Sequence, residues 1–419
     1  MNTILTRLSA ELIEKYEAEG FWQDDTIYAL VRWHAEHTPQ AFAVRDRYRR
    51  LTYAQLLAAT DALCADLARY DVRPGQRVGV WLPSRIESVV ALLACSKSGA
   101  IACPSLHRDH TTAEVVELMQ RTRCAAFIWQ NGYGADADKH DLIEALQAVP
   151  TIRHVYRLDA LTEPLASWSD LFRPSTTSLS KQDVDARHEA GHDGGEVKQD
   201  PNQIVYLAFT SGTTGKPKGV MHSDNTLLAN ARQLAKDWSI DDRSVVYSLS
   251  PLSHNLGFGA QVMALAMGAE LVIHDLPRGV SLADRILEAN TSFLVGVPPN
   301  AIDLLGEMQR RNLKGLGRLT GFRISGSAVP SEVVAGLIAQ GIKPQSGYGM
   351  TESCGHQYTM PEDEARLIIE TSGKCCASYE LRVFKEDDPD TEAAMGEIGQ
   401  LGGRGASLML GYFDDQAAT

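Results

Sequence analysis

The chain is short of cysteine, and what it has is not spaced for chelation. Seven cysteines are scattered over 419 residues, at Cys64, Cys95, Cys103, Cys124, Cys354, Cys375 and Cys376. No C-x-x-C spacing occurs, which argues against a zinc site. An odd count without a disulfide framework fits a reducing compartment, so a cytoplasmic location is expected. Positive charge is also short. Lys and Arg number 40 against 53 Asp and Glu, a net charge of −13. That balance disfavours an electrostatic grip on nucleic acid or on an anionic membrane. No apolar run reaches membrane-spanning length. Residues 1–20 carry Glu11, Glu14, Glu17 and Glu19 at helical spacing, unlike a signal or transit peptide. Internal repeats and low-complexity tracts are lacking too.

What is present is the composition of a soluble globular chain, 44% hydrophobic and 22% charged, long enough to bury a large core. One run stands out. Thr210-Ser211-Gly212-Thr213-Thr214-Gly215-Lys216-Pro217-Lys218-Gly219 packs four hydroxyls, three glycines and two lysines into ten residues. It follows the apolar stretch Ile204 to Phe209, which reads as a buried strand. Glycines let backbone N–H groups approach an anion, hydroxyls add donors and lysines add charge. A strand opening into such a loop reads as a phosphate cradle. A plain flexible linker would need neither the lysines nor the strand. A Walker-type loop requires G-x-x-x-x-G-K-[ST], but Gly212 and Gly215 are too close and Pro217 follows Lys216.

The run resembles the phosphate loop of the acyl-adenylate-forming enzymes, the ANL superfamily of acyl-CoA synthetases, aryl-acid ligases, luciferases and peptide-synthetase adenylation domains. The resemblance spans most of the chain. Leu51-Thr52-Tyr53-Ala54-Gln55-Leu56, Arg77 to Pro83 and Lys97-Ser98-Gly99-Ala100 are similar to early family segments. Tyr348-Gly349-Met350-Thr351-Glu352 matches a second diagnostic motif, and Gly396-Glu397-Ile398-Gly399 with Gly411-Tyr412 a third. The tail Gly402 to Phe413 is similar to cyclohexanecarboxylate–CoA ligases in particular.

The resemblance implies an α/β fold: two mainly parallel sheets flanked by helices, plus a small distorted β-barrel subdomain. It also implies ATP, Mg²⁺ and coenzyme A as reactants and cofactors. Thr210, Ser211, Gly212, Thr213, Thr214, Gly215, Lys216 and Lys218 would cradle the β- and γ-phosphates. Glu352 would be the magnesium ligand, since magnesium prefers carboxylate and phosphate oxygens, and Thr351 would meet the α-phosphate. Ser325, Gly326 and Ser327 would lie against adenine and acyl group, although the family usually has Gly-Gly-Ala or Gly-Glu-Ala there. Gly347, Tyr348, Gly349 and Met350 would complete the adenine slot, with the Tyr348 ring stacked on the base. His254 would gate the carboxylate pocket, lined by Asn255, Gly257, Phe258, Ser327 and Gly349. In the family a ribose-binding aspartate, a hinge and a mobile C-terminal domain with a catalytic lysine follow, so the chain is expected to be truncated and poorly active.

Four residues carry a competing structural reading. Thr351 or Ser353 could cap a following helix instead. Cys354 reads as a small packing residue. His356, four residues after Glu352, reads as pocket wall or surface rather than a metal partner.

The chain alternates between helical and strand patterns, which argues for parallel sheets with helical crossovers. Residues 1–175 read as a first α/β subdomain, 176–200 as a polar connection, 201–345 as a second α/β subdomain and 346–419 as motif loop and β-rich subdomain. Expected helices include Trp33 to His37, Gln55 to Leu67, Asn225 to Trp238 and Gly257 to Met267. Expected strands include Val78 to Leu82, Ala125 to Trp129, His154 to Leu158, Val245 to Leu249, Glu270 to Ile273, Ser292 to Val297, Gly321 to Ser325, Glu380 to Phe384 and Glu397 to Leu401.

The leading function is an AMP-forming acid–CoA ligase. An aryl-acid ligase loading a carrier protein and a non-catalytic nucleotide-binding scaffold are the alternatives. The expected acid is compact and uncharged beyond its carboxylate, with an alicyclic or aromatic ring. Amino acids are disfavoured because Asn255 stands where relatives place an aspartate for the substrate ammonium, and an unpartnered buried ammonium is costly. The partners expected are this acid and coenzyme A. Oligomeric state stays open, with a homodimer as one option.

Overall fold

Three helices that are buried on nearly every side position the rest of the molecule. Ile86–Ser98, Asp224–Asp237 and Asn255–Met267 are buried around most of their circumference, as helices between layers must be. Local signals mark some of their ends. Ser223 caps the second helix through a capping box with Thr226, and Gly99 and Gly268 end the other two in the left-handed conformation. The structure is a computed structural model and describes residues 6, 8–161, 199–210, 217–277 and 279–419.

In chain order the strands are β1 (Phe42–Arg45), β2 (Arg50–Thr52), β3 (Arg77–Trp81), β4 (Ile101–Cys103), β5 (Cys124–Gln130), β6 (His154–Leu158), β7 (Ile204–Thr210), β8 (Lys218–Ser223) and β9 (Val245–Ser248). They continue as β10 (Glu270–Ile273), β11 (Phe293–Gly296), β12 (Gly321–Ser325), β13 (Lys343–Met350), β14 (Cys354–Tyr358), β15 (Lys374–Cys375), β16 (Tyr379–Phe384), β17 (Gln400–Gly405) and β18 (Gly411–Tyr412). Nine form one sheet in the order β15-β14-β13-β12-β11-β9-β10-β1-β2, and seven form another in the order β18-β8-β7-β4-β3-β5-β6. Interior pairs such as β9 with β11 and β3 with β5 are parallel, and antiparallel pairs close the edges. Both interiors are covered by helices, so their strands read as near-continuous apolar runs. This is the α/β architecture expected.

Two features add detail to that architecture. The sheets interleave along the chain. Strands β1 and β2, from residues 1–175, join the nine-stranded sheet, while β7 and β8, from residues 201–345, join the seven-stranded one. The bond between β1 and β10 is a register of Val44 with Leu271 and Arg45 with Val272, reinforced by Arg45 and Arg50 on Glu270. In the region expected to hold the small distorted β-barrel, the described residues carry a two-stranded ribbon of β16 and β17. The strand expected at Glu397 to Leu401 begins three residues later. A Cβ on Gly403 would stand 2.6 Å from the Tyr379 ring, and one on Gly405 2.4 Å from the Ser378 carbonyl. Close approach to the facing strand therefore selects glycine, a residue that sequence patterns score as turn.

The polar connection 176–200 lies almost wholly outside the described residues. All seven cysteines are free, in keeping with the scattered spacing. Among the described residues no helix is long and apolar enough to cross a membrane.

Candidate active site

A cavity of about 960 Å³ opens where the C-terminal ends of β7, β12 and β13 meet the N-terminus of the helix Asn255–Met267. Its rim is polar. Thr210, Lys218, Thr351, Glu352 and Tyr412 stand on one side, with His107, His110 and His254 nearby. Its interior is largely apolar, with Leu227, Ala231, Leu234, Val262, Met263 and Val295 on the walls. One concave space thus offers a lysine, a carboxylate and hydroxyls at the mouth and an apolar chamber behind.

Glu352 sits in the turn between β13 and β14. No helix follows, which removes the capping alternative for Thr351 and Ser353. The Tyr412 hydroxyl donates to Glu352 Oε1 at 2.8 Å, and Met409 N donates to the Glu352 carbonyl at 2.7 Å. Lys218 Nζ lies 5.0 Å from the centre of the Tyr412 ring, a cation–π contact. So the loop lysine, the tyrosine of the third motif and the carboxylate of the second stand side by side. The turn is fixed from behind by His222 on β8, whose Nε2 donates to the Thr351 carbonyl at 2.7 Å. Burial pushes the His222 pKa down to about 4, against the opposing pull of that bond, so the ring is neutral with the proton on Nε2.

His254 is the N-cap of the helix Asn255–Met267, its Nδ1 accepting from Leu256 N at 3.3 Å. Burial lowers its pKa, so it presents a neutral ring to the cavity. The His107 ring lies 6.2 Å away, held by a 3.0 Å bond between its Nδ1 and Ser253 Oγ. Asn255 donates its amide to the Met350 carbonyl at 3.3 Å, tying the helix to the end of β13. Ser325 Oγ donates to the Gly347 carbonyl at 2.9 Å across the β12–β13 pair.

Of the residues singled out from the sequence, Thr210, Lys218, His254, Asn255, Phe258, Ser325, Gly326, Gly349, Met350, Thr351 and Glu352 line this cavity. Ser211 to Lys216 lie outside the described residues. Four expected residues stand off the lining. Gly257 is a packing position, since a Cβ there would come 2.2 Å from the Pro251 carbonyl. Ser327 is exposed beyond the end of β12. Gly347 lies within β13, and Tyr348 is half exposed with its ring edge-on to His356. Phe258 lies mainly in the core, stacked on Tyr206 at 3.9 Å. His356 is buried and stacked on Tyr379 at 4.2 Å, so it does not lie at the surface. Among the described residues no group of three His, Cys, Asp or Glu could hold a metal by itself.

The sequence reading missed His222, His107, Asn230 and Arg323, and gave Tyr412 no role. Arg323 left a signal, a lone charge inside an apolar strand. The others left none, since their roles come from contacts distant in sequence.

Two mainly parallel sheets flanked by helices around one half-polar, half-apolar cavity give the fold of the N-terminal domains of adenylate-forming enzymes. Residues 31–413 match the family described as AMP-binding enzyme, and the chain belongs to that family. It is 27% identical over 407 residues to the medium-chain fatty-acid–CoA ligase of Escherichia coli K12, covering 96% of this chain and 69% of that protein. A second relative, 29% identical over 396 residues, is the 3-[(3aS,4S,7aS)-7a-methyl-1,5-dioxo-octahydro-1H-inden-4-yl]propanoyl:CoA ligase of Mycobacterium tuberculosis, with 93% and 72% covered. Among solved structures, the apo structure of MbtA from Mycobacterium smegmatis superposes with a TM-score of 0.81 at 26% identity, over 99% of this chain and 73% of that one. The family is that of the ATP-dependent acyl- and aryl-acid–CoA ligases.

Proposed function

We propose that the protein activates a compact ring carboxylic acid as its acyl adenylate and passes the acyl group to coenzyme A. The observation that carries this reading is the division of the cavity: phosphate-seeking groups, with His254 and Asn255, at the mouth and an apolar chamber behind. The acid's carboxylate oxygen attacks the α-phosphorus of ATP and pyrophosphate leaves. The mixed anhydride then has AMP as its leaving group, which a thiol displaces. The carboxylate is already ionised at neutral pH, so the neutral His254 acts by shape and electrostatics rather than as a base.

The residues present fit a magnesium ion shared with ATP phosphates. Glu352 faces the mouth with Oε1 fixed by Tyr412, and among the described residues no cation pairs with it. Magnesium bound there would neutralise phosphate charge. Lys218 and Thr210 add a charge and a donor on the same side, and Thr351 adds a hydroxyl. The amide of Asn255 carries no charge to balance an ammonium, which supports acids over amino acids.

Acid-dependent exchange of pyrophosphate into ATP tests the reading. Cyclohexanecarboxylate, benzoate and salicylate should exceed octanoate, palmitate and phenylalanine. Preference for phenylalanine or palmitate would overturn the ring-acid assignment. No exchange with any acid, in a version that also carries the family's C-terminal domain, would favour a nucleotide-binding scaffold.

A further inference from the structure

Behind the apolar walls the cavity ends on a buried arginine. Arg323 is 4% exposed and lies on β12, two residues before Ser325 and on the same face of the strand, about 7 Å deeper. Its Nη1 donates to Gln345 Oε1 at 2.7 Å on the neighbouring β13. Its Nη2 lies 3.5 Å from the Gly355 carbonyl, a long and weak bond. A guanidinium has five N–H donors, so the described residues leave most of them without an acceptor. No carboxylate among the described residues pairs with it. What surrounds it is the Tyr358 ring, 5.5 Å away, and the Cys354 and Cys376 thiols. Burial lowers the Arg323 pKa, opposed only by those weak neighbours, yet a guanidinium stays charged.

A buried, uncompensated charge is expensive, and here the fold makes room for it. A Cβ at Gly355 would stand 2.0 Å from Arg323 Nη2. Asn230, also on the cavity wall, donates its amide to the same Gly355 carbonyl at 3.0 Å. Arg323 and Asn230 therefore converge on one spot of the lining.

Resting on the acid-activating reading above, we propose that this inner end receives a second carboxylate, so the substrate is a dicarboxylic acid activated at one end and held at the other by Arg323. A carboxylate there supplies the missing counter-charge and accepts two guanidinium donors in the forked geometry that arginine favours, with the Asn230 amide beside it. The uncharged remainder expected from sequence is thereby replaced by one bearing an acid group. A cation at this depth also repels an ammonium, in line with the exclusion of amino acids.

The test uses the full chain and matched acids: terephthalate against benzoate, trans-1,4-cyclohexanedicarboxylate against cyclohexanecarboxylate, and 4-acetylbenzoate as the neutral-acceptor control. Two readouts are taken: direct binding of the acid by calorimetry and acid-dependent pyrophosphate exchange. The diacid of each pair should be favoured about tenfold or more, the usual scale of a charge-assisted bond. Arg323→Met should abolish that preference while keeping or improving the monoacid, and Arg323→Lys should fall between. A melting curve shows whether each variant is folded. If Arg323→Met does not fold, the wild-type preference and Arg323→Lys decide. Equal binding of diacid and monoacid, or a preference for 4-acetylbenzoate over terephthalate, overturns the proposal. Diacid binding without exchange supports the Arg323 receptor and overturns the activity reading instead.

Discussion

At the scale of single residues, the site is built from groups that hold one another. Glu352 is oriented by the Tyr412 hydroxyl, and the turn carrying it is tied to His222. Glu352→Gln keeps size and removes charge, so adenylate formation should fall by an order of magnitude or more, with a shifted magnesium dependence. Tyr412→Phe removes only the orienting bond, worth about 0.5–1.5 kcal/mol, and should cost roughly fivefold. Magnesium titrations of pyrophosphate exchange check both, and an unchanged magnesium curve for Glu352→Gln would sink the assignment. Two glycines on one helix make a sharper contrast. Gly257→Ala forces a Cβ against the Pro251 carbonyl and should destabilise by about 1–3 kcal/mol. Gly259 has nothing within 4 Å of its Cβ position and lines the cavity. Gly259→Leu should leave the melting temperature within a few degrees, yet raise KM for ring acids about tenfold by filling their space. A normal KM with the larger side chain would place the acid elsewhere.

At the scale of elements, the sequence was most legible where one face or both faces of an element are buried. His154–Leu158, Glu270–Ile273 and Gly321–Ser325 coincide with their expected limits because short, mainly buried runs leave little choice of boundary. Helices were legible too, though Ile27–His37 begins six residues before the expected Trp33, at the Thr26 cap. Which strand joins which sheet was not legible. Strand patterns record burial, whereas β1 finds β10 across more than two hundred residues. The same limit hid His222 and Arg323, whose meaning is a contact. The helix Asp224–Asp237 carries a further consequence. Burial raises the Asp224 pKa to about 7, opposed by hydrogen bonds from Ile27 N and Ser96 Oγ. The folded pKa stands above the ordinary 3.8, so the neutral form is the one the fold favours. Its contribution is full below about pH 4 and is lost as pH rises through about 7. Asp224→Asn keeps the accepting oxygen and cannot ionise. Its stability relative to wild type should therefore rise between pH 4 and pH 7 and level off above. Denaturant midpoints across that range check it, and a pH-independent difference would show that Asp224 is ionised in the fold throughout.

At the scale of the whole molecule, the exchange of strands between the two halves of the chain makes the halves interdependent. The seam between β1 and β10 is fastened by Glu270, which is 5% exposed. Arg45 Nε lies 2.6 Å and Arg50 Nε 2.7 Å from its Oε1, and second bonds of 3.1 and 2.8 Å complete both forks. Burial opposes ionisation of this carboxyl, and Arg50 with Arg45 more than offset it, so its pKa is lowered. Removing one partner of a buried ion cluster leaves uncompensated charge, here chiefly on Arg45, whose side chain is 10% exposed. Glu270→Gln should destabilise by about 3 kcal/mol. The exposed pair Arg73–Asp71, with side chains 71% and 55% exposed, sets the contrast, since Arg73→Ala should change little. If the sheets are one cooperative unit, calorimetry of Glu270→Gln will show a single transition moved to lower temperature, with the cavity residues lost in the same step. A first transition confined to one sheet, with adenylate-analogue binding retained above it, would show that residues 1–175 and 201–345 unfold as separate subdomains despite the shared strands.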